Sequence, residues 1–194
     1  MNNQGTAILE RLAAASLENC LLRLSKASGW AWRLAGIKIL RGTLAAAVGR
    51  HDFMNPAAAV YVNVAGGFPF TSLLVFDAAD VAHLSKCFID ESLAGAGGGG
   101  RFDEEVLLEL GNILLNAVIN YLQNALKKIA IPSVPMLLKG DAPALINGLG
   151  AYLDEKQNFC IISAALSVGR GGHVSRGEML VIIPVDLAAA LERA

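Results

Sequence analysis

The residues best suited to chemistry lie along one helical segment. In residues 103–128, DEEVLLELGNILLNAVINYLQNALKK, the polar positions Glu105, Glu109, Asn112, Asn116, Asn120, Gln123 and Lys127 fall within an arc of roughly 80° at 3.6 residues per turn. Glu109 and Asn112 stand one turn apart on that seam. A carboxylate can grip a cation on a partner. A carboxamide can hold a water through one donor and one acceptor without being a strong base. Phosphoryl hydrolysis needs such groups, because its chemistry is mostly positioning and charge stabilisation, and a Gln has this task in GTPases. Asparagine is a poor helix former, so three of them in one seam call for a reason. The pattern alone also fits a plain solvated strip or hydrogen bonds to a neighbouring loop.

The seam needs a helix to carry it. Asp103 reads as the N-cap, Glu104 and Glu105 suit the positive helix end, and Phe102 is placed to staple against Leu107. Lys127 and Lys128 suit the negative end. Nearly every other position is Leu, Ile, Val or Ala, which predicts a helix buried on most sides.

The rest of the chain reads as two halves about the run AGAGGGG, Ala94 to Gly100, expected to be a flexible connection. Each half opens with a long helix, 6–27 and 103–128, followed by a short β-like segment, 36–40 and 133–138. An Ala/Gly-rich stretch comes next. Two β-like runs then flank a double glycine: 59–65 and 71–76 around Gly66-Gly67, and 159–168 and 179–183 around Gly171-Gly172. Each half closes on a short helix, 77–88 and 185–193. The expectation is an α+β fold, a pseudo-duplicated α-β-(α)-β-β-α unit whose halves share one sheet flanked by long helices. The whole chain, 1–194, is then one domain with halves of about 1–96 and 101–194.

At 194 residues, 54% apolar and 17% charged, with mean hydropathy +0.49, the composition raises the question of a membrane. The longest charge-free stretch, Phe53 to Phe76, is broken by Asn55, Pro56, Asn63, Gly66-Gly67 and Pro69, and reads as two buried strands rather than a span. No leader is expected from MNNQGTAILERL. A net charge of −1 leaves no basic stripe for nucleic acid. Cys20, Cys87 and Cys160 form neither a disulfide framework nor a metal signature, and suggest the reducing cytoplasm.

The second long helix and the segment after it resemble the CheC/CheX/FliY phosphatases of bacterial chemotaxis. Their signature is Asp or Ser, three residues, Glu, two residues, Asn, then twenty-two residues and Pro. Here it reads Glu105, VLL, Glu109, LG, Asn112, then twenty-two residues to Pro135, within the words ELGNILLNAV and IPSVPM. The resemblance implies action on the aspartyl phosphate of a phosphorylated CheY-like receiver. It implies that Glu109 pairs with the receiver's active-site Lys and that Asn112 orients the attacking water. Glu105 and Asn116 would support the site, and Pro135 would shape the strand behind the helix. It implies no metal in this chain, with the Mg²⁺ belonging to the receiver. Glu105 departs from the family's Asp or Ser. The family includes monomers and dimers, so a homodimer stays open. Related flagellar switch proteins use such folds for assembly, which makes a non-catalytic receiver-binding module the alternative.

The first helix carries no second copy of the motif. Aligning Glu10 with Glu109 sets Ala13 opposite Asn112 and Leu17 opposite Asn116, and Gly36 falls where Pro is expected. One site is therefore expected, and the apolar face of Ala13, Leu17 and Leu21 reads as plain core, with a contact surface as the alternative. His51, His83 and His173 lack metal-ligand spacing. Gly169-Arg170-Gly171-Gly172 lacks the GKS/T ending of a phosphate loop and reads as a hairpin turn. Trp30 and Trp32 read as helix-end packing.

Overall fold

Two long helices lie against one face of an antiparallel sheet in the computed structural model, which describes residues 3–51, 56–88 and 100–193. The elements run α1 (Asn3–Ser28), β1 (Ala31–Gly42), α2 (Leu44–Val48), β2 (Ala57–Gly66), β3 (Phe70–Asp77) and α3 (Val81–Ser85). They continue as α4 (Gly100–Leu126), β4 (Ala130–Pro132), β5 (Met136–Gly140), α5 (Ala142–Gly150), β6 (Phe159–Arg170), β7 (His173–Pro184) and α6 (Val185–Leu191). The expected α+β class and single shared sheet hold. Most of the expected connection, Ala94 to Gly99, lies outside the described residues, and Gly100 opens α4.

The seven strands run in the order β1-β6-β7-β3-β2-β4, with β5 also on β2, and every pairing is antiparallel. Strand alternation sends Val60, Val62, Leu74, Phe76, Ile162 and Val181 to the face covered by α1 and α4. Tyr61, Leu73, Val75, Ile161, Leu180 and Ile182 go to the other face, under α2 and α5. The sheet is thus buried on both faces over most of its centre, which explains the near-continuous apolar runs in β3, β6 and β7.

Both double glycines lie at strand ends. Gly171 and Gly172, at φ 60° and 86°, make the two-residue turn between β6 and β7, a conformation that other residues adopt at a cost. Trp30 and Trp32 are buried, and the Trp32 indole N–H donates to Ser28 Oγ at the end of α1 (3.2 Å).

Three expectations are corrected. The closing helix expected over 77–88 is broken: a 3₁₀ turn over Ala78–Asp80 precedes α3 and another over Lys86–Phe88 comes after it. Asp77 caps the first of these turns by accepting from Ala79 N. The segment 133–138 is not one strand. Three residues, Ser133 to Pro135, face two on β2, Val62 and Asn63, between the pairs Val64↔Pro132 and Tyr61↔Met136. This is a one-residue bulge in an edge strand, a place that tolerates a proline with no N–H to donate. Ser133 pins it, donating its N–H to Asn63 O (2.8 Å) and accepting from Asn63 N at Oγ (3.1 Å). Third, α4 begins at Gly100, so Asp103 lies in its first turn rather than at the N-cap, and Phe102 is inside the helix and 36% exposed.

Candidate functional site

The buried residues of α4 are Leu107, Leu110, Gly111, Leu114, Leu115, Val118, Ile119 and Leu122. At 100° per residue they span about 180°. The helix is therefore buried over half of its circumference, not most of it. Leu108, Ile113, Ala117 and Tyr121 are only partly covered. Each leucine fully withdrawn from water contributes about 1.5–3 kcal/mol, enough to fix the rotation of the helix about its axis. α4 is also the one helix among the described residues long and apolar enough to cross a membrane. Its buried side is spent on the protein core.

None of the seam residues is buried. Glu105, Glu109, Asn120 and Lys127 are exposed; Asn112, Asn116 and Gln123 are half-buried. Glu109 and Asn112 thus share the solvent side of one helix, as their spacing requires. Two seam residues have local tasks. Gln123 Oε1 accepts from Ala130 N (3.1 Å) and ties the helix end to β4. Glu105 Oε1 lies 3.4 Å from Arg101 Nε, an exposed pair one turn back in the helix, of the kind worth little. Glu104 reaches Lys139 Nζ on β5 at 2.6 Å and anchors the start of α4 to the sheet edge.

Asn112 has a partner within the seam. Asn116 Nδ2 donates to Asn112 Oδ1 at 2.6 Å, which occupies one of the two lone pairs of that oxygen and orients the carboxamide. Asn116 and Asn120 also line a groove of about 530 Å³ between α4 and α1, opposite Ser16, Asn19, Cys20 and Arg23. Pro135 lies at the bulge of the edge strand, in the stretch between β4 and β5, and is half-buried.

Sequence reasoning missed Gly111. A Cβ at this position would overlap Val60 Cβ and Cγ1 on β2, so the missing side chain brings α4 close onto the sheet beside Asn112. The signal was present as a glycine inside an otherwise strong helical pattern, where it costs about 1 kcal/mol relative to alanine.

The corresponding face of α1 has no such opening. Ala13, Leu17 and Leu21 are 4%, 1% and 2% exposed and belong to the main core; Glu10 is half-buried. The expectation that this face is core holds.

Elsewhere, Glu178 of β7 sits on the α2/α5 side of the sheet. Its carboxylate accepts from Ser163 Oγ (2.6 Å) and lies 3.5 Å from His51 Nδ1. His83 packs between Trp30 and His173, at ring-centroid distances of 4.5 and 4.0 Å, and His173 Nε2 lies 3.3 Å from Asp80. Burial first, and then the neighbouring His173, hold the His83 imidazole below its ordinary pKa. Among the described residues no three His, Cys, Asp or Glu side chains are grouped to hold a metal ion.

The architecture has known counterparts. The structure of Thermotoga maritima FliY superposes with a TM-score of 0.73 at 13% identity, covering 100% of this chain and 96% of that one. FliM in the FliM–SpeE complex of H. pylori gives 0.69 at 10% identity, with 100% and 97% covered. The chemotaxis protein CheX of Vibrio vulnificus gives 0.57 at 10% identity, with 89% and 98% covered. The chain has the FliY and CheX fold. No family model matches the sequence, and no curated protein matches it either. At this identity the likeness is one of fold. In this chain α4 places Glu109 and Asn112 on its open side.

Proposed function

We propose that the protein is a cytoplasmic phosphatase of CheC/CheX/FliY type, acting on the aspartyl phosphate of a CheY-like receiver domain. The observation that carries this reading is the open seam of α4. Glu109 is exposed and Asn112 half-exposed one turn away, on the solvent side of a helix whose other side is locked into the core. An open helical face suits a protein partner better than a small substrate, which wants a concave pocket.

In this mechanism Glu109 pairs with a cation of the receiver and fixes the docking register. Asn112 enters the receiver's acidic site and holds a water in line with the phosphorus. The water oxygen bonds to phosphorus as the bond to the aspartyl oxygen breaks. The aspartate leaves as carboxylate, and both water protons stay with the released phosphate. Neither residue is a nucleophile, so no covalent enzyme intermediate forms. The receiver supplies the Mg²⁺. Glu105, with its carboxylate beside Arg101, supports the first turn, and Pro135 maintains the bulge that ends β4.

A second reading is a receiver-binding or switch-like interaction module without catalysis. It draws on the superposition on FliM (0.69), whose structure is that of a complex with SpeE, while FliY superposes at 0.73. The two readings separate in one experiment. Incubation with a phosphorylated receiver and Mg²⁺ should accelerate phosphate release; receiver binding with unchanged release supports the module instead.

A further inference from the structure

We propose that Asn116 is a positioning residue for the proposed reaction, setting which edge of the Asn112 carboxamide faces the partner. The inference rests on the phosphatase reading. A primary carboxamide has an acceptor edge and a donor edge, exchanged by a half-turn about its last side-chain bond. On an open helix both orientations are accessible, and only one is useful to the chemistry.

The structure selects one. Asn116 lies one turn beyond Asn112, and its Nδ2 donates to Asn112 Oδ1 at 2.6 Å. The oxygen is drawn along the helix toward Asn116, and the amino group is left to face away from it. Asn116 is half-buried where it lines the groove against α1, whereas Asn120, one turn further, is exposed and makes no side-chain bond among the described residues. The contact is therefore confined to the pair that contains the proposed water-holding amide.

The selected edge matches the chemistry. A transferring phosphoryl group carries its charge on three equatorial oxygens and is stabilised by donors. An outward N–H donates to a phosphoryl oxygen, while the second lone pair of Oδ1 stays free to accept from the water and leaves the water's own lone pairs to point at phosphorus. An outward carbonyl oxygen would instead face the anionic phosphoryl group. A plain solvated pair of asparagines would give the same bond distance, and the two roles differ in their kinetics.

The test uses Asn116→Ala, Asn116→Asp and Asn116→Gln, with Asn120→Asp as a control for added charge on the same seam. Asn116→Ala frees the carboxamide to turn and should lower kcat about 3–10-fold, the worth of one hydrogen bond, with KM within about twofold of wild type. Asn116→Asp accepts where Asn116 donates, pins the oxygen outward, and should lower kcat well beyond Asn120→Asp. Asn116→Gln keeps a donor and should recover most of the activity. Side-chain amide NMR gives a readout independent of turnover: a hydrogen-bonded Asn116 amide resonance that disappears in Asn112→Ala. Indifferent Asn116 variants, an effect confined to KM, or equal losses in Asn116→Asp and Asn120→Asp overturn the inference and leave the phosphatase reading intact. An inactive wild-type protein overturns the phosphatase reading, and the inference with it.

Discussion

Gly111 of α4 lies so close to Val60 of β2 that a methyl group on Gly111 would overlap the Val60 side chain. The contact sits immediately before Asn112 in the chain and sets the height of the proposed site above the sheet. Gly111→Ala gains about 1 kcal/mol of helix propensity. It must also lift the helix from a closely packed sheet, at about 1–3 kcal/mol. The expected result is a net loss of stability in urea unfolding, accompanied by lower phosphatase activity because Asn112 moves with its neighbour. A variant more stable than wild type would show that the helix can shift without strain.

Asn112 and Glu109 should fail in different ways. Asn112→Ala removes the group that orients water and should lower kcat on the order of 100-fold or more, with docking little changed. Glu109→Lys places like charge against the receiver's cation and should act through KM or the receiver affinity. Steady-state phosphate release over a range of phosphorylated receiver separates the two effects.

The first helix should resist conversion into a second site. Ala13 stands where Asn112 would be and is 4% exposed in the main core. Asn there buries a polar group without a partner and overfills a packed position, at a cost on the order of 2 kcal/mol or more. Ala13→Asn should lower the denaturation midpoint and add no phosphatase activity to an Asn112→Ala background.

Acid stability should respond to Glu178. Burial alone pushes its carboxyl up, but hydrogen bonds from His51 and Ser163, with the charges of His51 and Lys38, prevail and hold it below its ordinary value of 4.5. A carboxyl with a lowered folded pKa contributes stability that is fully present above the unfolded value. That contribution is lost as pH falls below about 4.5 and through the folded value. Glu178→Gln should be less stable than wild type at pH 7, and the gap should narrow as pH drops below 4.5 in denaturation curves taken across the acid range.

Much of this arrangement is legible in the residues. The spacing of Glu105, Glu109, Asn112 and Asn116 put them on one open side of α4, where they are found, because a 3.6-residue period leaves little freedom once the leucines are buried. The strand pairs around Gly66-Gly67 and Gly171-Gly172 were equally visible. Other features depend on partners distant in sequence. Period alone overstated the burial of α4, since its flank toward α1 is left as a groove. The bulge at Ser133–Pro135 depends on Asn63, seventy residues earlier. The start of α4 at Gly100 was hidden because glycine is a weak helix former and Asp103 a good cap. The bond from Asn116 to Asn112 is a matter of side-chain rotamers, which spacing permits but does not choose.

The order of strands has a consequence for how the chain is made. Only the β2–β3 and β6–β7 ladders join strands of the same half; β1 with β6, β3 with β7, and β4 and β5 with β2 all cross between halves. As the chain leaves the ribosome, β1 has no partner until residues 159–170 emerge, and the β2–β3 hairpin keeps an open edge at β2 until residues 130–140 emerge and at β3 until β7 does. The halves are clasped like interlaced fingers. Each half leaves strands that are paired only by the other, whereas α4, with the proposed site, packs on α1, α3, β2 and β3, all of which precede it in the chain.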